Sequence, residues 1–336
     1  MRVLVTGAGG FLGSAICRAL RSDGVAVVAV VRPGFDASAI EGPGIAVVGA
    51  DIRDAVALRE AARGCSAAIH TAVLGCYNRR FRAEISQTNV DGTRTFLDAC
   101  VSAGVRRAVV VDSISSFPVS SSPAVRLPDY VHDQSRLFLY PYLRSKAEAR
   151  ALVQAYRERM EISMVYGAPM YGRGDRHDHT GGLIRFLERR CPAFAPPGGT
   201  SVIGIDDAAR VCVAAALRVE KLDSIVAAAE QWTFLELYNL VLEQLGSSHR
   251  IRRVLPRMWF GPLFGLAVVT DLFGHSGRFS PNLVRNGFGF RCFSNEETRR
   301  ALGWAPTQTM RDAVAEQIAW MRAHGRLRAG EAARRS

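Results

Sequence analysis

Tyr142 and Lys146 are the residues of this chain best suited to moving a proton. They stand four apart in a helix-like stretch that runs through Tyr156, and positions i and i+4 share one helix face. A free phenol titrates near ~10, too high for acid–base work at neutral pH. A cation within a few ångströms favours the phenolate and lowers that value. The pair could then exchange a proton with a carbonyl or an alcohol. Alone, Y-x-x-x-K also describes an ordinary solvated helix face. Lys146 is informative because Lys221 is the only other lysine; the remaining Lys/Arg positions are all arginine.

A second set could hold a diphosphate. Gly7, Gly10 and Gly13 recur every third residue between an apolar strand-like run, Arg2 to Val5, and an alanine-rich helical pattern. A strand that turns tightly into a helix aims that helix's first N–H groups at one point. Glycine removes the Cβ that would block the turn or the approach of a pyrophosphate. The usual dinucleotide fingerprint has glycine where this chain has Leu12, so the spacing here is G-x-x-G-x-x-G. Val30-Val31-Arg32 ends the second strand pattern. A turn built for NAD wants a carboxylate there for the ribose 2′-hydroxyl. Arg32 cannot accept that bond but can pair with a 2′-phosphate. The competing readings are a surface arginine, or a choice set by Asp36.

Strand patterns at 2–6, 25–31, 45–49, 66–71, 106–112 and 161–167 alternate with helical patterns at 12–22, 54–63, 86–104 and 141–159. That alternation predicts an α/β fold, a doubly wound parallel Rossmann sheet covered on both faces. Ligands of such sheets bind beyond the C-terminal strand ends. The glycine turn, Asp51, His70, Ser113 and Pro169 all fall there. The predicted dinucleotide-binding domain takes 1–171 and 201–221, with 201–218 read as a strand and helix returning to the main sheet. Residues 172–200 and 222–325 form a smaller C-terminal substrate lobe, with a last amphipathic helix at 308–324. Residues 326–336 are expected to be a disordered basic tail. Ser115 to Asp133 reads as a long loop.

The 336 residues carry a formal charge of +12. Because the arginines are scattered and no nucleic-acid motif accompanies them, no nucleic-acid partner is expected. Seven cysteines without a C-x-x-C pair read as reduced thiols of a cytoplasmic protein. The chain opens on its first strand, which predicts no leader. Met258 to Phe273 is the most apolar stretch; it is too short to span a bilayer and predicts no transmembrane segment. It is read as a buried or pocket-lining helix, with a membrane-surface contact as the alternative. Asp175-Arg-His-Asp-His179 has spacing that zinc could use, but solvated loop histidines are the preferred reading and no metal is expected.

Taken together, the chain resembles the extended short-chain dehydrogenase/reductase family of the NAD-dependent epimerase/dehydratase type. Thr6 to Gly13 matches its phosphate loop, including Phe11 and Leu12. Asp51-Ile52 resembles its adenine-contacting turn, and His70-Thr71-Ala72 the end of its fourth strand. Asn89-Val-Asp-Gly-Thr93 resembles its N-V-x-G-T helix, and Tyr166 to Asp175, including Pro169, its stretch past the nicotinamide. Ile205 to Arg210 and Leu302 to Pro306 resemble two late landmarks. The resemblance implies that Ser113 holds a substrate oxygen beside Tyr142, with Ser115 as the competing serine. It also implies that Lys146 binds the nicotinamide ribose, and that subunits pair as a homodimer through 86–104 and 141–159. Relatives with 4,6-dehydratase chemistry carry Asp-Glu where this chain has Ile114-Ser115. The Pro197-Gly-Gly-Thr200 stretch looks like the branch of dihydroflavonol reductases and 3β-hydroxysteroid dehydrogenases. The expected function is an NADP-dependent (NAD possible) carbonyl reductase or alcohol dehydrogenase for a small-molecule substrate. A nucleotide-sugar epimerase with tightly bound NAD and a non-catalytic NADP-binding regulator are the alternatives.

Overall fold

The computed structural model describes residues 1–38, 40–76, 78–128, 140–190, 192–218, 220, 222–273 and 279–328. Its centre is a parallel sheet of strands β1 (Arg2–Thr6), β2 (Ala26–Val31), β3 (Ile45–Gly49), β4 (Ala67–His70), β5 (Arg107–Ser113), β6 (Glu161–Gly167) and a later strand, Ser224–Ala227. The first three β-branched runs, VLV, VVAVV and AVV, suit strands. From β1 the order runs outward in both directions, to β2 and β3 on one side and to β4, β5, β6 and Ser224–Ala227 on the other. That reversal between β1 and β4 makes the crevice in which doubly wound sheets bind ligands.

The connecting helices are α1 (Phe11–Ser22), α2 (Ala55–Ala62), α3 (Arg82–Ser86), α4 (Gly92–Ser102) and α5 (Pro141–Tyr156). Asp54 caps α2 by accepting from Val56 and Ala57 N–H, and Pro141 opens α5, where its missing N–H is not needed. The long helix expected at 86–104 is interrupted. Gln87–Asp91 forms one π-turn between α3 and α4, which moves Asn89 inward. Such bulges often mark functional positions.

A smaller sheet is built from β7 (Met170–Tyr171), β9 (Gly199–Gly204), β11 (Glu230–Thr233) and β13 (Phe290–Arg291), with β9 central. β8 (Phe194–Ala195) pairs separately with β12 (Arg253–Val254). Around these lie helices α6 (Gly181–Arg189), α8 (Phe234–Gln244) and α12 (Met310–Ala323), which share a second apolar cluster. α7 (Ile205–Leu217) packs on α1 under the main sheet. The strand expected to return to the main sheet near 201 is therefore β9 of the small sheet. The strand that does return is β10, Ser224–Ala227, inside the stretch assigned to the lobe. The crossover helix α7 must come before the strand it delivers.

Two further expectations change. α9 (Phe260–Leu272), within the stretch read as buried, buries only Ala267 and Asp271. It packs on α10 (Pro281–Phe288) and leaves a full apolar face in solvent. The expected disordered tail starts too early. Leu327 is buried, Arg326 pairs with Asp178, and Arg328 N–H donates to Glu188. These contacts dock the chain end on the lobe; positions 329–336 lie outside the described residues. α11 (Glu296–Leu302) ends on Gly303 in the left-handed region, φ +60°. Among the described residues, no helix is long and apolar enough to cross a membrane.

Candidate active site

The glycine turn closes on itself. Gly7 has φ +69°, and a Cβ there would lie 2.6 Å from Ala72 N and 2.8 Å from Thr71 Oγ1. Thr71 Oγ1 donates to Thr6 O at 2.8 Å, so the loop after β4 is fastened against the turn. Gly10 N–H donates to Gly7 O at 2.8 Å. A Cβ on Gly13 would fall 2.1 Å from that same carbonyl. Phe11 and Leu12 bury their side chains in the core, so only their backbone belongs to the turn. The first N–H groups of α1 have no intrahelical acceptor, which suits a helix start to an anion such as a diphosphate. The turn is tight: a Cβ at Gly7 or Gly13 would strike loop backbone, and one at Gly10 would lie 3.1 Å from Gly7 O.

Arg32 directly follows β2 and is exposed. Its carbonyl accepts from Phe35 N–H in the turn that follows. Asp36 is occupied locally, accepting from Ser38 N–H, and that bonding holds its carboxyl below the usual range. Asp51 is clasped by Arg53 at 2.8 and 2.7 Å, and hydrogen bonding from Arg53 brings its carboxyl down to about 2. Arg53 also donates to Gln87 on the π-turn. Ile52 packs against Gly92, where a Cβ would come within 2.8 Å.

Beneath the crevice, His70 stacks on Phe96 with centroids 4.6 Å apart. Thr93 Oγ1 gives its own proton to Asn89 O and so accepts from His70 Nε2 at 3.1 Å. His70 Nδ1 is then left to accept from Thr6 Oγ1 at 2.7 Å. Burial, with Lys146 nearby, pushes this histidine down to about 3. It is a neutral strut. Asn89 is a second tie. It accepts from Leu74 N–H at 2.7 Å and donates to Ser145 Oγ at 2.9 Å, while Ser145 donates to Tyr142 O. The first turn of α5 is thus pinned to the loop after β4 through one amide side chain.

Tyr142 and Lys146 are both buried on α5, with the ammonium 5.9 Å from the centre of the phenol ring. Lys146 Nζ donates to Val111 O at 3.0 Å and lies 3.8 Å from Asp112 Oδ1. Asp112 in turn takes Arg150 Nη1 on its other oxygen at 2.8 Å. Its first oxygen accepts from Ser113 N–H and Ser116 Oγ. Burial pushes the Lys146 ammonium below its ordinary value, Asp112 pulls it back up, and Arg150 pushes it down. Asp112 and Arg150 are the site residues that the sequence reading missed. Part of their signal was present: Arg150 continues the Tyr142, Lys146 spacing by four more residues. Ser113 ends β5 with its Oγ accepting from Ser115 N–H at 3.1 Å, which leaves its own proton to donate. Ser115 Oγ is buried and meets no hydrogen-bond partner among the described residues.

Pro169 links β6 to β7 and its carbonyl accepts from Ile203 N–H. The five-residue stretch with zinc-like spacing has other duties. Asp175 is fully buried and accepts from His179, Thr180 and Gly181 N–H and from Gln317 Nε2. Asp178 is paired with Arg185 and Arg326. The same loop approaches the glycine turn, with Arg176 over the Phe35 ring and His179 beside Phe11. The long loop expected from Ser115 to Asp133 is described as far as 128, and bridges from Ser120 to Phe290 and from Arg126 to Phe293 strap that part down.

The sequence matches the model of the NAD dependent epimerase/dehydratase family over residues 3–227. It is 26% identical to Sterol demethylase protein B of Methylococcus capsulatus, over 97% of this chain and 100% of that protein. It is 28% identical to 2-alkyl-3-oxoalkanoate reductase of Stenotrophomonas maltophilia, over 94% of this chain and 97% of that protein. The structure of Thermus thermophilus UDP-glucose 4-epimerase in complex with NAD superposes with a TM-score of 0.72 and 18% identity. That superposition covers 96% of this chain and 99% of the epimerase.

The Asp112 cluster is testable without substrate. Asp112→Asn leaves two buried cations facing each other. Removing one partner of a buried pair costs about 3–5 kcal/mol, and urea unfolding should show that loss. The same change made beside Arg150→Gln should cost clearly less. Equal losses in both backgrounds would mean that the pair is not coupled.

Proposed function

The chain belongs to the NAD-dependent epimerase/dehydratase family, and we propose that it is an NADP-dependent carbonyl reductase or alcohol dehydrogenase for a small, largely apolar organic substrate. The buried Tyr142–Lys146 pair carries this reading. A bound nicotinamide supplies hydride to the carbonyl carbon or accepts it from the alcohol. Tyr142 gives its phenolic proton to the carbonyl oxygen, which becomes the alcohol hydroxyl. Ser113 donates a hydrogen bond to that oxygen. Lys146, whose charged form Asp112 favours against the effect of burial, stabilises the phenolate that remains and holds the ribose. Asn89 and Ser145 set the turn that presents Tyr142.

The Ile114-Ser115 pair lacks the acid and base of dehydratase chemistry and speaks against elimination, and the full-length likeness to a named oxoalkanoate reductase supports reduction. The backbone likeness to an epimerase keeps one rival in view. Net change in cofactor absorbance with substrate separates the two, since an epimerase returns its cofactor unchanged. The described cysteines are free thiols, which supports a cytoplasmic setting. A homodimer through α4 and α5 is supported by Ala147, Ala151, Leu152 and Ala155, which α5 leaves at least partly exposed. Light scattering at micromolar concentration should give twice the chain mass; a monomer mass would remove that assembly.

Tyr142→Phe keeps the ring and deletes the proton. Turnover should fall by roughly 10²–10⁴-fold, the span of general acid–base catalysis, with NADPH affinity little changed. Near-normal turnover would take Tyr142 out of the mechanism.

Arg32 is exposed at the end of β2 while Asp36 is held by Ser38. The guanidinium can fork onto a 2′-phosphate and gains little from a hydroxyl. A charge-assisted hydrogen bond contributes about 1.5–3 kcal/mol, or on the order of 10–100-fold in affinity. NADPH should therefore bind more tightly than NADH, and Arg32→Ala should erase most of the gap. Equal affinities in the unaltered protein would assign Arg32 to the surface.

A further inference from the structure

We infer that α9 and the turn before it are a docking face for an anionic lipid bilayer. Helices on a protein surface normally hide one apolar stripe and show a polar one. α9 shows apolar residues on both sides. Met258, Pro262, Leu266, Val269 and Phe273 recur at steps of four, four, three and four, so they form one line along the outer face, and all are exposed. Met258 is 81% exposed, Leu272 65% and Phe273 76%. The helix has 13 residues, about 20 Å at ~1.5 Å per residue, which suits lying in an interface and is too short for crossing one.

Charge selects the occupant. Around α9, Arg252, Arg253 and Arg257 are exposed, and the one acidic residue between positions 250 and 291 is Asp271. Asp271 is buried and faces Arg79 at 3.7 Å, so it offers no outward negative charge. That pair also brings the turn Arg79–Phe81 to α9, adding the half-exposed Phe81 and its exposed neighbours Arg80 and Arg82. Arg252 and Arg253 stand exposed at the other end. An apolar ridge flanked by guanidinium groups matches an anionic headgroup layer over acyl chains. A second copy of this face would set arginine against arginine, which disfavours self-pairing. The inference stands apart from the catalytic reading, since it needs no turnover.

The test is co-sedimentation of the full chain with vesicles of phosphatidylcholine alone and of phosphatidylcholine with phosphatidylglycerol. The unaltered protein should bind the second kind at least about tenfold more strongly, and added salt should weaken that binding. Leu266→Asp with Val269→Asp should lose the binding by about tenfold or more, with thermal midpoint and NADPH affinity unchanged. Arg252→Glu with Arg253→Glu, which leaves every apolar contact in place, should lower it as well. Failure of the unaltered protein to bind phosphatidylglycerol vesicles would overturn the inference. So would retention of binding in both variants. A fall in molecular mass in the Leu266→Asp, Val269→Asp protein would assign the face to a second copy instead.

Discussion

One buried carboxylate, Asp112, sets the conditions for the rest of the site. It stands at the end of β5 with Lys146 on one oxygen and Arg150 on the other. Taking charges out of water costs several kcal/mol per ion, and only close pairing with full hydrogen bonding repays it. Asp112 meets that condition with two cations, one backbone N–H and one serine hydroxyl. Burial pushes an ammonium in this place down, and Asp112 opposes that push. The carboxylate therefore does two things together: it favours the charged form of Lys146, and it ties α5 to the end of β5. Tyr142, one helical turn before Lys146, is placed by the same tie.

The other end of α5 is held from a different direction. Asn89, turned inward by the π-turn, spans from Leu74 to Ser145 and thereby joins the loop after β4 to the first turn of α5. The same loop presses on Gly7, where no Cβ fits. The anion cradle and the acid–base pair are thus parts of one rigid body, linked through residues 71–74. His70 completes that body as a neutral double hydrogen-bonded strut, with no proton to give at ordinary pH.

The periodic parts of this architecture were legible in the sequence. β1 through β6 and helices α1, α2 and α5 follow from alternation alone, while the π-turn that breaks the helix expected at 86–104 does not, and the Gly7, Gly10, Gly13 turn and the Tyr142, Lys146 pair each announce themselves by spacing. What was not legible depends on contacts distant in sequence. Asp112 and Arg150 lie 38 positions apart in number, and neither residue type marks a buried pair by itself. α9 was misread because apolar composition predicts burial only when something exists to bury against, and α10 covers just one side. Residues 326–328 were misread because Arg328 and Arg326 find their partners on α6 and its preceding loop, which no local pattern reveals. The displaced β10 reflects topology: a crossover helix hides which of its flanking strands belongs to which sheet.

The choice of lysine at 146 carries the last step. In a chain whose cations are otherwise arginine save for one, a guanidinium would seem the default. The space beside Val111 O and Asp112 is narrow, and His70, Ala72, Asn89 and Thr93 line it. A planar fork would need several acceptors in one plane, and the wall of that space offers one carbonyl and one carboxylate oxygen at different heights. An ammonium is compact, donates in three directions and has a charge that surroundings can tune. One donor serves Val111 O, and Asp112 Oδ1 faces the ammonium as a charge partner at 3.8 Å. Arg150, one turn on, reaches Asp112 and Ser116 together from one nitrogen, Nη1. The two cations on one helix face thus divide the work, arginine hydrogen-bonding the carboxylate and lysine hydrogen-bonding the strand carbonyl beside it.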